Sequence, residues 1–491
     1  MKRVFSHPLV ALAAGLALRL FLVLKFPATS GDTPLYDELA TNWFKHGTYA
    51  VSMNDALTPV DVRMPGYPSL LTLIYGLTGR TGEAARMPVM LVQIGIDLLS
   101  CLVIAAIASS LVKLSIGPDP AKRAFKLALW LAALCPFTAD YTAVVLTETI
   151  AALLSATSIY LLIRLAESCS ELFQPARRLK ASWDKTPAYW ASLFGLAVGA
   201  TTLFRPESPL LLVVAWLIFA VAFVKHREFL RWLKLAALSG LLCFGALLPW
   251  TVRNAITLHE FQPLAPRDAT LPSERPPVGF EAWERTWLYR MSDCYAVTWK
   301  LNEENINLED IPDRAFDSEP EKKHVATLIE RHNKHNSLSD EADAEFAAIA
   351  KRRTARHPLR TYFTVPLQRA LTIWFTPRIE LLPFSGSVFP IAAEWDDDRA
   401  DLIVTLGFFF LNIFYLLAAG WGVRKLWKQG SRPRLALAAI LTYILVRTAF
   451  LTTVEAPEPR YVLVCFPAVL ALAAIAFLNR QVAPGVVRPP T

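Results

Sequence analysis

Long apolar runs separated by short charged loops constrain this chain more than any other feature. Ten such runs, at 8–26, 85–112, 124–140, 143–163, 189–204, 208–224, 233–250, 401–423, 434–454 and 461–478, lie near the length a helix needs to cross a hydrocarbon core of about 30 Å. Charged residues make up 19% of the 491 residues and hydrophobic ones 54%, whereas a soluble domain is about a quarter charged. A purely soluble multidomain enzyme, a secreted disulfide scaffold and a disordered chain are therefore excluded. The expected class is an all-α polytopic membrane protein of about ten spans.

The first run follows Lys2 and Arg3, as a signal peptide would, but Arg19 and Lys25 interrupt it and no small-residue cleavage site follows. It is read as a retained span. Loop charges then set the orientation. If the spans alternate, one side receives Lys113, Lys122, Arg123 and Lys126, then Arg177, Arg178, Lys180 and Lys185, then Lys225, Arg227, Arg231 and Lys234. The same side receives Arg424, Lys425, Lys428, Arg432 and Arg434, with Lys2, Arg3 and Arg480. That side is cytoplasmic, and both termini fall on it. The expected location is the inner (plasma) membrane, with the opposite loops outside.

Two apolar stretches do not fit as spans. Residues 66–78 are too short to cross, and 362–375 carries Pro366 and Arg369; both read as interfacial helices. The chain divides into an N-terminal transmembrane module, 1–250, with its first outer loop at 27–84; an extracytoplasmic segment, 251–400; and a C-terminal transmembrane module, 401–491. In the middle segment one helix is expected from about Asp317 to Arg331. A second starts near Ser337, with Asp340 at capping-box spacing, and ends before Pro358. The six cysteines form no CxxC pair and read as small apolar filler.

Charge inside or beside a span is costly and marks function by default. Here it gathers at the outer ends. The first outer loop holds Asp32, Tyr36 and Asp37, then Asp61, Arg63 and Tyr67. The turn between spans three and four gives Asp140, with Glu148 just inside span four. The next outer turn gives Arg205 and Glu207, and span seven exits through Arg253 and Asn254. Arg447 lies in the outer part of span nine, and Glu458, Arg460 and Tyr461 form the last outer turn. Clustered arginines suit a phosphate through bidentate, charge-assisted bonds, and a carboxylate among them can accept a proton from a hydroxyl. A sugar joined to a membrane lipid through phosphate meets both groups. Its phosphate leaves without a general acid once its charge is neutralised, and a single displacement inverts the anomeric centre.

Gly31, Asp32, Tyr36, Ala40, Gly47 and Tyr49, followed by Arg63-x-Pro65-Gly66-Tyr67-Pro68, resemble the GT-C glycosyltransferases, the nearest branch being family 39 with the protein O-mannosyltransferases and the aminoarabinose transferase. Thr147-Glu148, Arg205-Pro206, Pro249-Trp250-x-x-Arg253-Asn254 and Glu458-x-Arg460-Tyr461 extend the likeness over about residues 15–470, except for 265–400. The resemblance implies a GT-C-like bundle, a polyprenyl-phosphate sugar donor used on the outer side, and Asp32 as the base. It implies Asp61 as an assisting acid, with Asp37 competing for that place. Arg63, Arg205, Arg253, Arg460 and Arg447 are the candidates for the donor phosphate. Tyr36, Tyr67, Glu148, Glu207, Asn254, Glu458 and Tyr461 are the candidates for substrate binding. The partners implied are the lipid-linked hexosyl or pentosyl donor and an acceptor glycan, lipid or protein with a hydroxyl or amine; nucleic acid is not among them. No cofactor is implied, although Asp and Glu at these positions suit Mg²⁺ or Mn²⁺ without a fixed spacing.

Structural readings compete. Asp32 suits a helix cap, Asp37 a solvated helix face, Arg63 a pairing with Asp61, Arg205 and Glu207 a local ion pair, and Arg253 and Arg460 headgroup anchors. Arg19 and Asp97, inside spans, require buried partners. Asp397-Asp398-Arg399-Ala400-Asp401 spells a prenyl-transferase motif but opens span eight, where acids complement a helix N-terminus. His332 and His335 read as a solvated surface. Other functions remain in play: a polysaccharide ligase or polymerase, and a lipid-linked sugar transporter or flippase. Against a transporter stand the polar groups at one mouth and the lack of visible repeat symmetry.

Overall fold

The computed structural model describes residues 7–172, 186–266, 270–272, 274–429 and 433–478. Lys2, Arg3, Arg177, Arg178, Lys180, Lys185, Arg432 and Arg480, on which part of the orientation rests, lie outside them. The described chain is helical apart from one small hairpin, as expected for an all-α polytopic protein.

The N-terminal module begins with α1 (Pro8–Lys25), the loop helices α2 (Thr33–His46) and α3 (Gly66–Thr78), and α4 (Arg86–Ser115). It continues through α5 (Pro118–Ala133), the single turn α6 (Pro136–Ala139), α7 (Glu148–Leu172), α8 (Thr186–Thr202), α9 (Pro209–Lys225) and α10 (Phe229–Thr257). The middle segment holds α11 (Val278–Glu284), α12 (Met291–Ala296), α13 (Glu319–His335), α14 (Asp340–Arg356), α15 (Val365–Trp374) and α16 (Ile391–Asp397). The last module is α17 (Arg399–Lys428), α18 (Arg434–Leu451) and α19 (Phe466–Ala476).

Every expected span contains a helix, and among the described residues seven are long and apolar enough to cross a membrane. The other three, α5, α8 and α9, have 16, 17 and 17 residues. Pro136 explains the shortest: the residue before a proline is pushed out of the α region. The chain leaves α5 and turns through α6 and a 3-10 segment, Asp140–Ala143, before α7. Conversely α4, α10 and α17 have 30, 29 and 30 residues, about 45 Å each, so their ends project beyond a core of about 30 Å.

Small residues let the helices approach closely. A Cβ on Gly195 of α8 would lie 2.2 Å from the Ser239 carbonyl of α10, and one on Gly422 of α17 would lie 1.9 Å from that of Leu472 in α19. Inside the bundle Arg19 of α1 and Asp97 of α4 supply the buried partner each requires, with Nε–Oδ2 at 2.7 Å. The Arg19 Nη1 donates to the Gly15 and Ala133 carbonyls at 2.8 and 2.7 Å.

Helices α11 to α14 enclose a separate apolar core around Phe280, Trp283, Trp287, Leu328 and Phe346. Helix α13 starts two residues later than expected, at a Ser318 cap, and α14 is capped by Ser339 rather than from Ser337. His332 is buried, not solvated, and its Nε2 accepts the Asn302 amide at 2.9 Å. Asp398 caps α17, accepting from the Ala400 and Asp401 amides at 2.9 and 3.0 Å, a helix-starting role for the aspartate run. All six cysteines are free and buried.

Candidate functional site

Pro34 opens α2 with its φ already set for a helix, which leaves Asp32 at the N-cap position. Its side chain makes no capping bond and turns away from the helix. Gly47, at φ 67°, ends α2, and the chain reverses through the hairpin Ala50–Met53/Ala56–Pro59. Its turn residues Asn54 and Asp55 take φ 48° and 63°, as a tight hairpin turn demands. The hairpin carries residues 61–68 back beside α2. There Gly66 donates to the Leu203 carbonyl at 2.8 Å, and a Cβ would stand 2.5 Å from that oxygen. Only glycine allows this approach, which docks the first loop at the end of α8 next to Arg205.

The docking completes a continuous ionic network. Asp32 Oδ1 lies 2.9 Å from Arg63 Nη2, and Oδ2 lies 2.9 Å from Arg460 Nη2. Arg460 also pairs with Glu458 and stands 4.0 Å from Glu148. Glu148 in turn pairs with Arg205. The Tyr461 hydroxyl donates to Glu458 at 2.6 Å. Arg447 pairs with Glu207 at 2.6 Å and joins the rest through the Tyr461 carbonyl at 3.0 Å. Tyr36 stands edge-on to Tyr67, whose hydroxyl donates to Gln93 at 2.7 Å. Four carboxylates and four guanidiniums thus meet from six separate stretches of chain. The Asp32 and Arg63 side chains are 24% and 30% exposed against 2% for Glu148, so the network opens at the Asp32 end.

Burial alone would raise the Asp32 carboxyl, but Arg460 and Arg63 outweigh it and hold the group below its ordinary range. Glu207 is likewise held low, burial being outweighed by Arg447 and Arg205.

Besides Tyr36 and Tyr67, four candidates stand outside the network. Asp37 is buried rather than solvated; it accepts from the Tyr75 hydroxyl at 2.5 Å, and burial raises its carboxyl. Asp61 does not pair with Arg63, and burial raises it too. Arg253 donates to the Val60 and Tyr49 carbonyls at 2.8 and 2.6 Å and to the Asn254 side chain at 2.9 Å. Its guanidinium stacks 5.1 Å from the Trp250 ring. The geometry makes Arg253 a brace between α10 and the hairpin, and Asn254 its partner. Arg205 and Glu207 are not a mutual pair either: each takes a partner from a different helix.

Sequence reasoning missed Glu380. Its carboxylate accepts from the Tyr141 hydroxyl at 2.8 Å, beside Asp140, whose Oδ1 is buried with no hydrogen-bond partner. Burial and Glu380 push Asp140 up to about 7. The one signal was an acid two residues beyond Arg378, which is itself buried. Among the described residues no three His, Cys, Asp or Glu side chains converge as a metal site.

The chain matches no protein-family model and no curated protein by sequence. Among solved structures it is similar to the Archaeoglobus fulgidus oligosaccharyltransferase tethered to an acceptor peptide, at 14% identity and a TM-score of 0.48, over 96% of this chain and 49% of that one. It is also similar to ArnT from Cupriavidus metallidurans in the apo state and bound to undecaprenyl phosphate. Both are 15% identical with TM-scores of 0.40, over 96% and 95% of this chain and 77% of theirs. The chain spans about half the length of the oligosaccharyltransferase it matches.

Proposed function

We propose that the protein is an inverting glycosyltransferase of the GT-C type, drawing on a polyprenyl-phosphate sugar at the outer mouth of the bundle. The observation that carries this reading is Asp32 held between Arg63 and Arg460 at the exposed end of a network otherwise closed to water. Arg63, Arg460 and Arg205 supply forked donors for a phosphodiester, and Asp32 supplies the base. The acceptor oxygen bonds to the anomeric carbon as its proton passes to the Asp32 carboxylate. The bond from that carbon to the phosphate oxygen breaks, and the lipid phosphate departs with the electron pair. Arg63 and Arg460 neutralise the charge that develops on it.

Free, the network holds equal numbers of positive and negative groups. A phosphodiester adds one negative charge and competes for the guanidiniums that grip Asp32. Losing those partners and gaining a like charge both raise the carboxyl, so donor binding converts a weak base into a stronger one. In the free enzyme Asp32 titrates below its ordinary value of 3.8. The acid limb of kcat/KM, which reports the free enzyme, therefore lies at lower pH than that of kcat, which reports the complex.

The decisive experiment is turnover of a polyprenyl-phosphate sugar by the purified chain and its Asp32→Asn variant. A base of this kind contributes roughly 10²–10⁴-fold, and the variant loses that much while remaining folded, as cooperative melting shows. Full turnover by Asp32→Asn would falsify the mechanism.

A further inference from the structure

The bend between α14 and α15 and the helix that follows are built inside out for water. Along α15 the residues facing inward include Arg369, whose guanidinium is buried and donates to the Leu288 and Thr452 carbonyls at 2.8 and 3.2 Å. Those facing outward are Leu367 and Leu371, continued four positions to either side by Phe363 in the turn before α15 and Phe375 just after it, all between 46% and 65% exposed. At the bend Leu359 and Tyr362 are 77% and 74% exposed. A helix that buries arginine and displays leucine and phenylalanine faces a non-aqueous medium.

What covers the stripe follows from where the helix is tied. The Trp374 indole donates to Thr448 at 3.0 Å, one turn from the end of α18. Asn412, midway along α17, donates to the Trp374 and Thr376 carbonyls at 2.7 and 3.0 Å. The end of α15 therefore lies beside the last turns of α18 and the middle of α17, helices that also display apolar residues, Phe410 and Leu445, on their outward faces. At the opposite end of the stripe, the last turns of α14 display Lys351, Arg352 and Arg356. Arg356 lies 3.6 Å from Asp317 and is 53% exposed.

We infer that this edge is an anionic-phospholipid site. The Lys351, Arg352 and Arg356 side chains hold headgroup phosphates, while Leu359, Phe363 and Leu367 enter the acyl region below. Apolar body below and basic residues above is the arrangement that binds negatively charged membrane surfaces, each cation adding several-fold in affinity. The surface lies apart from the Asp32 network. It is joined to it through Arg369, which grips the Thr452 carbonyl at the start of the turn carrying Glu458 and Arg460.

Because every native cysteine is buried, a Phe363→Cys variant of the full chain takes a single fluorescent label. In nanodiscs the label is quenched by lipids bearing a nitroxide just below the headgroup. Native mass spectrometry of the unlabelled protein retains phosphatidylglycerol over phosphatidylcholine. The combined Lys351→Glu, Arg352→Glu and Arg356→Glu substitutions remove that preference, roughly several-fold per side chain, whereas Lys122→Glu with Arg123→Glu on the opposite face leaves it intact. Equal retention of the two lipids overturns the proposal. So does an unquenched label together with copy-to-copy disulfide formation by the unlabelled Phe363→Cys variant, which assigns the stripe to a second chain.

Discussion

Two carboxylate–guanidinium networks in this molecule look alike in composition and differ in construction. In the outer subdomain Arg353 meets Asp317 at 3.1 Å and Glu321 at 2.6 Å, and Arg360 closes on Asp317 at 2.7 Å. Every acid and base there comes from the start of α13 or the end of α14 and the bend after it. Arg353 is fully buried and its acids nearly so, and its Nε also holds the Thr286 hydroxyl at 2.8 Å. At the mouth the charges come from six separate stretches of chain and the Asp32 end stays open. A network assembled locally around a fully buried arginine clamps a fold. One assembled from remote segments and left open at a single carboxylate is placed for a ligand.

Exchanging the central arginines should separate the two most widely. Removing one partner of a buried pair costs about 3–5 kcal/mol because the other charge is left uncompensated. Arg353→Ala should therefore lower the melting temperature by several degrees and leave donor affinity in the folded fraction unchanged. Arg460→Ala should weaken donor binding and turnover at least tenfold, and more than Arg353→Ala does. If thermal melts and donor titrations give both variants the same profile, the two networks are not different in kind.

A pH titration draws the same contrast with a smaller effect. Glu284 is fully buried between the subdomain and the last outer turn, its Oε2 lacks a partner, and its Oε1 accepts from Thr298 at 2.6 Å. Burial pushes its carboxyl from 4.5 up to about 8. Between these values the folded state holds a proton that the unfolded chain has lost, so stability falls as pH rises from about 4.5 to about 8 and levels off above. Glu284→Gln should flatten that slope in melts across the range. Asp32→Asn should not, because the Asp32 carboxyl is shifted the other way; a slope that survives in Glu284→Gln assigns it to another group.

The spans and the convergence of Asp32, Arg63, Glu148, Arg205, Glu207, Arg447, Glu458 and Arg460 were legible because both rest on composition that only a membrane makes meaningful. A run of about 20 apolar residues or an arginine beside a span has few alternatives in a bilayer. Partner choice was not legible. Arg63 reaches past Asp61, two residues away, to Asp32 because Gly66 docks the loop on Leu203, a contact between two helices that no local spacing reveals. Glu380 was hidden for the same reason: Tyr141, its partner, is 239 positions away. The interfacial reading of 362–375 placed the helix correctly, but it could not say that Arg369 faces inward, since period gives a face and not its direction.

Arg253 gives the smallest and sharpest test, because the motif that contains it and the contacts it makes point to different roles. As a phosphate ligand its loss would raise the donor Kd directly. As a brace it holds the Tyr49 and Val60 carbonyls, while the Tyr49 hydroxyl donates to the Arg63 carbonyl at 2.8 Å. Its effect on the donor then passes through the position of Arg63. Hydrogen bonds to a charged group are worth about 1.5–3 kcal/mol each, yet Arg253 is partly exposed, and water replaces part of what is lost. Arg253→Ala should therefore loosen the hairpin, seen as faster amide exchange over residues 50–60, and lower kcat several-fold with a change in donor Kd below about threefold. Arg253→Lys keeps the charge but loses the fork that spans two carbonyls, so it should behave like alanine in exchange. If lysine instead restores donor affinity that alanine lost, charge is what matters at this position, and Arg253 belongs with Arg63 and Arg460.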